Sequence, residues 1–238
     1  MNKQTFLTLL ATFALLFSFT FSCHAKGKDK AKHVVFIGLD GWGAYSLPKA
    51  DMPNVKKLME DGAYTLKKRS ALPSSSAINW ASMFMGAGPE LHGYTEWGSK
   101  TPELPSRVLN KNGIFPTVFQ LLRDARPEAE IGCLYEWEGI KYLVDTLSLS
   151  YHYHVADCNK TPKELGNMAS SYIKEKHPAL VAICYDGPDH TGHTAGHDTP
   201  EYYEKLKELD VYVGQIVQAV KDAGMLDDTI FILTSDHG

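Results

Sequence analysis

"PALVAICYDGPDHTGH" occupies residues 178–193 and changes character half-way along. Up to Tyr185 it is a continuous apolar run of about seven residues, which reads as a strand buried on both faces of a sheet. From Asp186 it turns to Asp, Gly, Pro and His, and the stretch 182–198 as a whole holds three histidines and three aspartates. A lone His or Asp in a polar loop is ordinarily solvated, and Gly/Pro ordinarily marks a turn. Placement gives this cluster more weight, because it begins where a buried strand ends, and in open α/β sheets that edge binds ligands.

The same arrangement recurs on either side. "HVVFIGLDGWG" (33–43) is a buried strand running into a glycine-rich turn at Asp40, and "DDTIFILTSDHG" (227–238) reads as one more buried strand ending in Asp236 and His237. Between them, "MPNVKKLMEDG" predicts a helix stopped by Gly62, and "AYTLKKRSALPSSS" an alternating strand leaving into a serine loop. "AINWASMFMGAG" predicts a helix starting just after Ser76 and ended by glycines. "GIFPTVFQLLRDARPEAEIGCLYEW" gives a helix and then a strand, and "TPKELGNMASSYIKEKH" a helix feeding the strand at 179–185. From Pro200 to Gly224, Leu206, Leu209, Val213, Ile216, Val217 and Val220 recur at helical spacing. Such alternation predicts an α/β fold, a mainly parallel sheet with helices on both faces.

With 238 residues, 44% of them hydrophobic, the chain can fill one sizeable core. A net charge of −4 and the lack of a basic stripe argue against nucleic acid as a structural partner. Residues 1–25 read as an export signal: a short basic start, an apolar run from Phe6 to Phe21, and Cys23 and Ala25 placed for small-x-small cleavage. Cys23 after Ser22 is one alternative, a lipid anchor, and an uncleaved membrane anchor is another, the apolar run being near the short end for a span. Residues 26–32, "KGKDKAK", form a charged linker, and 33–238 form the domain. The location that follows is periplasmic or extracellular. There disulfides are permitted, and Cys133 with Cys158 is the expected pair, Cys184 lying in an apolar strand.

Each strand-end carboxylate has a bland reading, since Asp40 begins a D-G turn, Asp189 sits in a P-D turn and Asp236 could cap a helix. Their joint occurrence, with His193 four residues after Asp189 and His237 beside Asp236, points instead to metal. Mixed carboxylate and imidazole donors suit zinc first among common ions, then manganese or iron. His190, His197 and Asp198 read as a solvated loop beside the site, Asp186 as a group that fixes that loop or orients a ligand, and His92 as a side chain that packs or hydrogen-bonds within its turn. Trp80, Tyr94 and Trp97 could line a pocket or fill the core.

"GLDGWG", "SAINWASMFMGAGPELHGYT", "GPDHTGH" and "TSDHG", in this order, resemble the alkaline phosphatase superfamily, and within it the nucleotide pyrophosphatase/phosphodiesterase-like branch. The resemblance implies a hydrolase of phosphate esters, diesters or nucleotide pyrophosphates first, using two divalent metal ions. Asp40, Asp236 and His237 would hold one ion, Asp189 and His193 the other, and Ser76 would be the nucleophile bridging toward the first. Ser76 is equally a helix N-cap by type, and the two roles coincide because a helix start attracts phosphate. Asn79, one turn along, would bond a phosphoryl oxygen; its plain reading is a helix-surface amide. In the family a further histidine downstream of "SDHG" completes the second site; the chain ends at Gly238, so this reading makes the domain C-terminally incomplete. A phosphomonoesterase is the alternative within the superfamily, and a catalytically silent metal-binding surface protein the alternative outside it.

Overall fold

A computed structural model describes residues 31–156 and 162–238. The expected export signal, most of the charged linker and Cys158 lie outside the described residues. Five strands form one sheet: β1 (His33–Leu39), β2 (Ile131–Tyr135), β3 (Tyr151–His154), β4 (Leu180–Tyr185) and β5 (Thr229–Thr234), in the order β3-β2-β4-β1-β5. Every pairing is parallel, with Leu39 opposite Tyr185 and Gly38 opposite Thr234.

Among the described residues there are seven α-helices: α1 (Pro53–Asp61), α2 (Ser76–Met85), α3 (Pro89–His92), α4 (Val118–Ala125), α5 (Pro162–Lys176), α6 (Gly187–Ala195) and α7 (Pro200–Asp222). Their starts follow local chemistry. Thr117 and Thr199 accept the Gln120 and Tyr202 N–H groups as N-caps of α4 and α7, and prolines open several first turns, where the missing N–H costs nothing.

Because successive strand residues face opposite ways, the sheet builds two cores. Val35, Ile37, Leu39, Val181, Ile183 and Tyr185 join Leu165, Ile173, Leu206, Leu209, Val213 and Ile216 of α5 and α7 on one face. Cys133, Tyr135, Ala182 and Cys184 meet Ala77, Trp80, Ala81 and Phe84 of α2 and Phe119 of α4 on the other. Burial on both faces is why these strands read as unbroken apolar runs.

Several expectations need correction. Residues 63–75 form no strand, and Tyr64, Leu66 and Leu72 are exposed. Alternation marks a strand only where a sheet edge takes up the backbone, and here Ala71 bonds the Asn79 side chain instead. The start of the polar stretch after β4, His190 included, is a helix, α6, rather than a solvated loop, whereas His197 and Asp198 lie in an exposed turn beyond it. β5, at the edge of the described sheet, is half-exposed, with one face covered and the other open: Phe231 and Leu233 pack on the first core while Ile230 and Ile232 point outward. α2 starts at Ser76 itself, with Ser75 in the N-cap position. Cys133 is a free thiol buried at the centre of β2, where burial pushes its pKa upward, and its expected partner Cys158 lies outside the described residues. Strand β3, "YHYH", was not anticipated from the sequence.

Candidate functional site

The strand order brings the acidic strand ends together. β1 lies between β4 and β5, so Asp40, the segment from Asp186, and Asp236 with His237 leave three adjacent strands at the same sheet edge. Neighbouring strands are about 4.8 Å apart, which puts their first side chains within reach of one ion.

His237 is the hub. Its Nε2 lies 3.4 Å from Asp40 Oδ1, 3.5 Å from Asp236 Oδ2, 3.8 Å from Asp189 Oδ1 and 3.2 Å from Ser76 Oγ. Ser76 Oγ in turn donates toward Asp40 Oδ1 at 3.4 Å. Ligand atoms of Asp40, Asp189 and His237 fall within 4.8 Å of one another, a spacing that could hold a metal ion. Asp189 uses its other oxygen, Oδ2, toward His193 Nε2 at 3.2 Å, one helical turn along α6. The imidazole of His193 is largely open to solvent.

Electrostatics favour a cation here. Burial pushes the Asp40 carboxyl well above the ordinary range, and Asp236, Asp186 and Asp189 push it further, against the Trp80 hydrogen bond. Burial raises Asp236 as well, with His237 and the Gly41 and His237 N–H groups opposing. Asp236 Oδ1 accepts both of those N–H groups, at 3.1 and 2.8 Å, yet its Oδ2 is buried without a hydrogen-bond partner. Carboxylates crowded at one point with an orphaned oxygen aimed among them suit a bound cation, which would relieve both the repulsion and the desolvation.

Other side chains hold this geometry. Trp80, fully buried, donates Nε1–H to Asp40 Oδ2 at 2.8 Å, and its ring lies where a Cβ on Gly38 would be 2.2 Å away. Gly41, at φ +65°, turns the chain past Asp189, whose Cα lies 2.8 Å from the place a Cβ would take. Tyr202 of α7 accepts the Gly43 N–H and donates to the Gly41 carbonyl, stitching the loop after Asp40. At the end of β2, Glu136 accepts the Asp186 N–H at 2.8 Å; burial, with Asp186 adding, pushes its pKa up to about 8.

Of the residues singled out in the sequence, Asp40, Ser76, Asp189, Asp236 and His237 converge, and His193 attaches to the rim through Asp189. Asn79 is buried, its Oδ1 accepting the Ala71 N–H and its Nδ2 donating to the Ala71 and Ser75 carbonyls, so its amide clamps the segment leading into Ser76. His92 is buried and bonds Ser82 and the Tyr94 N–H; Tyr94 is buried while Trp97 is exposed. Glu136 and Tyr202 were missed. Glu136 carried the signal of the other site residues, an acid at a strand end, whereas nothing in the amphipathic pattern of α7 marks Tyr202.

Residues 34–238 match the family model described as type I phosphodiesterase / nucleotide pyrophosphatase. The chain belongs to this family. It is 26% identical over 221 residues to mouse bis(5'-adenosyl)-triphosphatase enpp4, covering 88% of the chain and 48% of the relative, and 23% identical to the human counterpart. Mouse ectonucleotide pyrophosphatase/phosphodiesterase family member 1 is 24% identical, with 24% of its length covered. The chain thus spans half or less of the curated relatives it matches. Among solved structures, murine ectonucleotide pyrophosphatase/phosphodiesterase 5 in complex with AMP superposes with a TM-score of 0.70 at 19% identity, covering 87% of this chain and 57% of that one. That likeness shows the fold, the α/β architecture read from the sequence.

Proposed function

We propose that the protein hydrolyses phosphodiesters or nucleotide pyrophosphates through a phosphoserine at Ser76. The observation that carries this is the position of Ser76 Oγ at the first turn of α2, 3.2 Å from His237 Nε2 and 3.4 Å from Asp40 Oδ1. At that point the free N–H groups and positive end of α2 face an incoming phosphate. Relatives named as a bis(5'-adenosyl)-triphosphatase and a structure holding AMP support a substrate with a nucleoside phosphate ester.

Ser76 Oγ attacks phosphorus as the bond to the leaving oxygen breaks, and the hydroxyl proton ends on the leaving oxygen; water then cleaves the phosphoserine, its hydroxyl going to phosphorus and its proton to Ser76 Oγ. Two divalent ions, zinc first by donor type, held by Asp40, Asp236 and His237 and by Asp189 and His193, would supply Lewis-acid activation of the serine and charge stabilisation at the leaving oxygen. Asn79 holds the Ala71–Ser75 segment, fixing where α2 begins. The apolar N-terminal run read as an export signal supports a location outside the cytoplasm.

The test pairs bis-p-nitrophenyl phosphate with p-nitrophenyl phosphate on protein of measured metal content, followed by acid quench and peptide mapping. The expected result is faster diester turnover and a phosphoryl group on the Ser76 peptide; preferred monoester turnover, or a phosphoryl group elsewhere, would overturn the reading.

A further inference from the structure

Glu136 is a buried acid that the proposed chemistry leaves unused. It follows β2, is 4% exposed, and its backbone is fixed on both sides, the N–H donating to the Cys184 carbonyl and the carbonyl accepting from His154. Its side chain crosses from β2 to the start of α6. There Oε2 accepts the Asp186 N–H at 2.8 Å, and the Gly187 N–H is directed at the same group. A helix start leaves such N–H groups without intrahelical partners, and the residue in the N-cap position of α6, Asp186, makes no capping bond with its own side chain. Glu136 supplies the cap from another strand. Its second oxygen, Oε1, is buried without a hydrogen-bond partner, a desolvation cost that an apolar residue at this position would not incur.

What α6 carries gives the cap its meaning. Asp189 and His193 sit one turn apart on that helix, and Asp189 also faces His237. Gly41 abuts Asp189 on the β1 side and Lys205 packs beside Gly187 on the α7 side, so Glu136 completes a three-sided seat for the start of α6. We infer that Glu136 is a positioning residue that seats the N-terminus of α6 so that Asp189 and His193 act as a ligand pair for a divalent cation. The inference rests on the metal reading of the proposed function.

The test titrates metal-free protein with Zn²⁺ against a chromophoric chelator, comparing wild type with Glu136→Ala, Glu136→Gln, Glu136→Asp and, as a ligand-loss reference, Asp189→Asn. Glu136→Ala should weaken, by about 10- to 100-fold, the ion whose binding Asp189→Asn impairs, and leave the other within about twofold. Gln keeps the length and an acceptor oxygen, and should stay within about fivefold of wild type; Asp keeps the carboxyl group, loses a methylene of reach, and should resemble Ala. Should the alanine variant not fold, the Gln–Asp contrast decides. Zn²⁺ binding by Glu136→Ala equal to wild type, equal weakening by Gln and Asp, or parallel loss of both ions would overturn the inference. A reference Asp189→Asn that binds Zn²⁺ like wild type would instead bring down the metal reading itself.

Discussion

At the scale of single residues, three adjacent serines separate function from composition. Ser74 bonds Ser70, Ser75 Oγ is buried without a partner, and only Ser76 reaches Asp40 and His237. Ser76→Ala should lower diester turnover by about 10⁴-fold or more while Zn²⁺ content stays near that of wild type, and Ser74→Ala should change neither. Glu136 makes a second residue-level prediction. Its pKa rises from 4.5 to about 8 on folding, so across that window the folded state holds a proton that the unfolded state has lost. Its contribution to stability is therefore fully present below about pH 4.5 and is lost as pH climbs through 8. Glu136→Gln mimics the neutral acid. In metal-free protein, the Tm of the variant relative to wild type should rise between pH 5 and pH 8; a constant difference would contradict this.

Elements here are fixed to one another by few, close contacts. β1 meets α2 where the Trp80 ring fills the space beside Gly38, and the same indole holds Asp40. Gly38→Ala should cost about 1–3 kcal/mol by chemical denaturation and also weaken Zn²⁺ binding, since displacing the ring releases the carboxylate. α1 and α7 are joined by Asp210, which is buried and accepts the Asn54 and Val55 N–H groups at the start of α1. Asp210→Ala should cost about 2–3 kcal/mol and leave turnover per folded molecule unchanged. The strand runs and the stripe on α7 were legible because they are periodic over many residues. The start of α6 was not: its Asp, Gly, Pro and His favour turns by type, and the cap that makes the segment helical comes from Glu136, some 50 residues away in the chain.

For the whole molecule, the sheet has one face turned partly to solvent at β5, with Ile230 50% and Ile232 43% exposed on an edge strand. Edge strands with outward apolar side chains template pairing with other chains. The chain should therefore associate as its concentration rises, and Ile232→Lys should reduce that association in light scattering without lowering the Tm; unchanged association would place the contact elsewhere. Among the described residues no helix is long and apolar enough to cross a membrane.

The sequence by itself determined the layered α/β class and the identity of the converging side chains. Burial on two faces demands unbroken apolar runs, and the residue after each run must lie at the sheet edge, so Asp40, Asp186 and Asp236 could be placed from spacing alone. Strand order was beyond it. Nothing local encodes that β1 sits between β4 and β5, because that order follows from which faces of α2, α5 and α7 pack best against the assembled sheet. Only that packing brought His237 within 4 Å of three carboxylates and a serine, turned Asn79 into the loop before Ser76, buried Cys133 as a free thiol and left residues 63–75 without a strand partner. Those outcomes depend on contacts between residues far apart in the chain, which periodicity, a local property, does not specify.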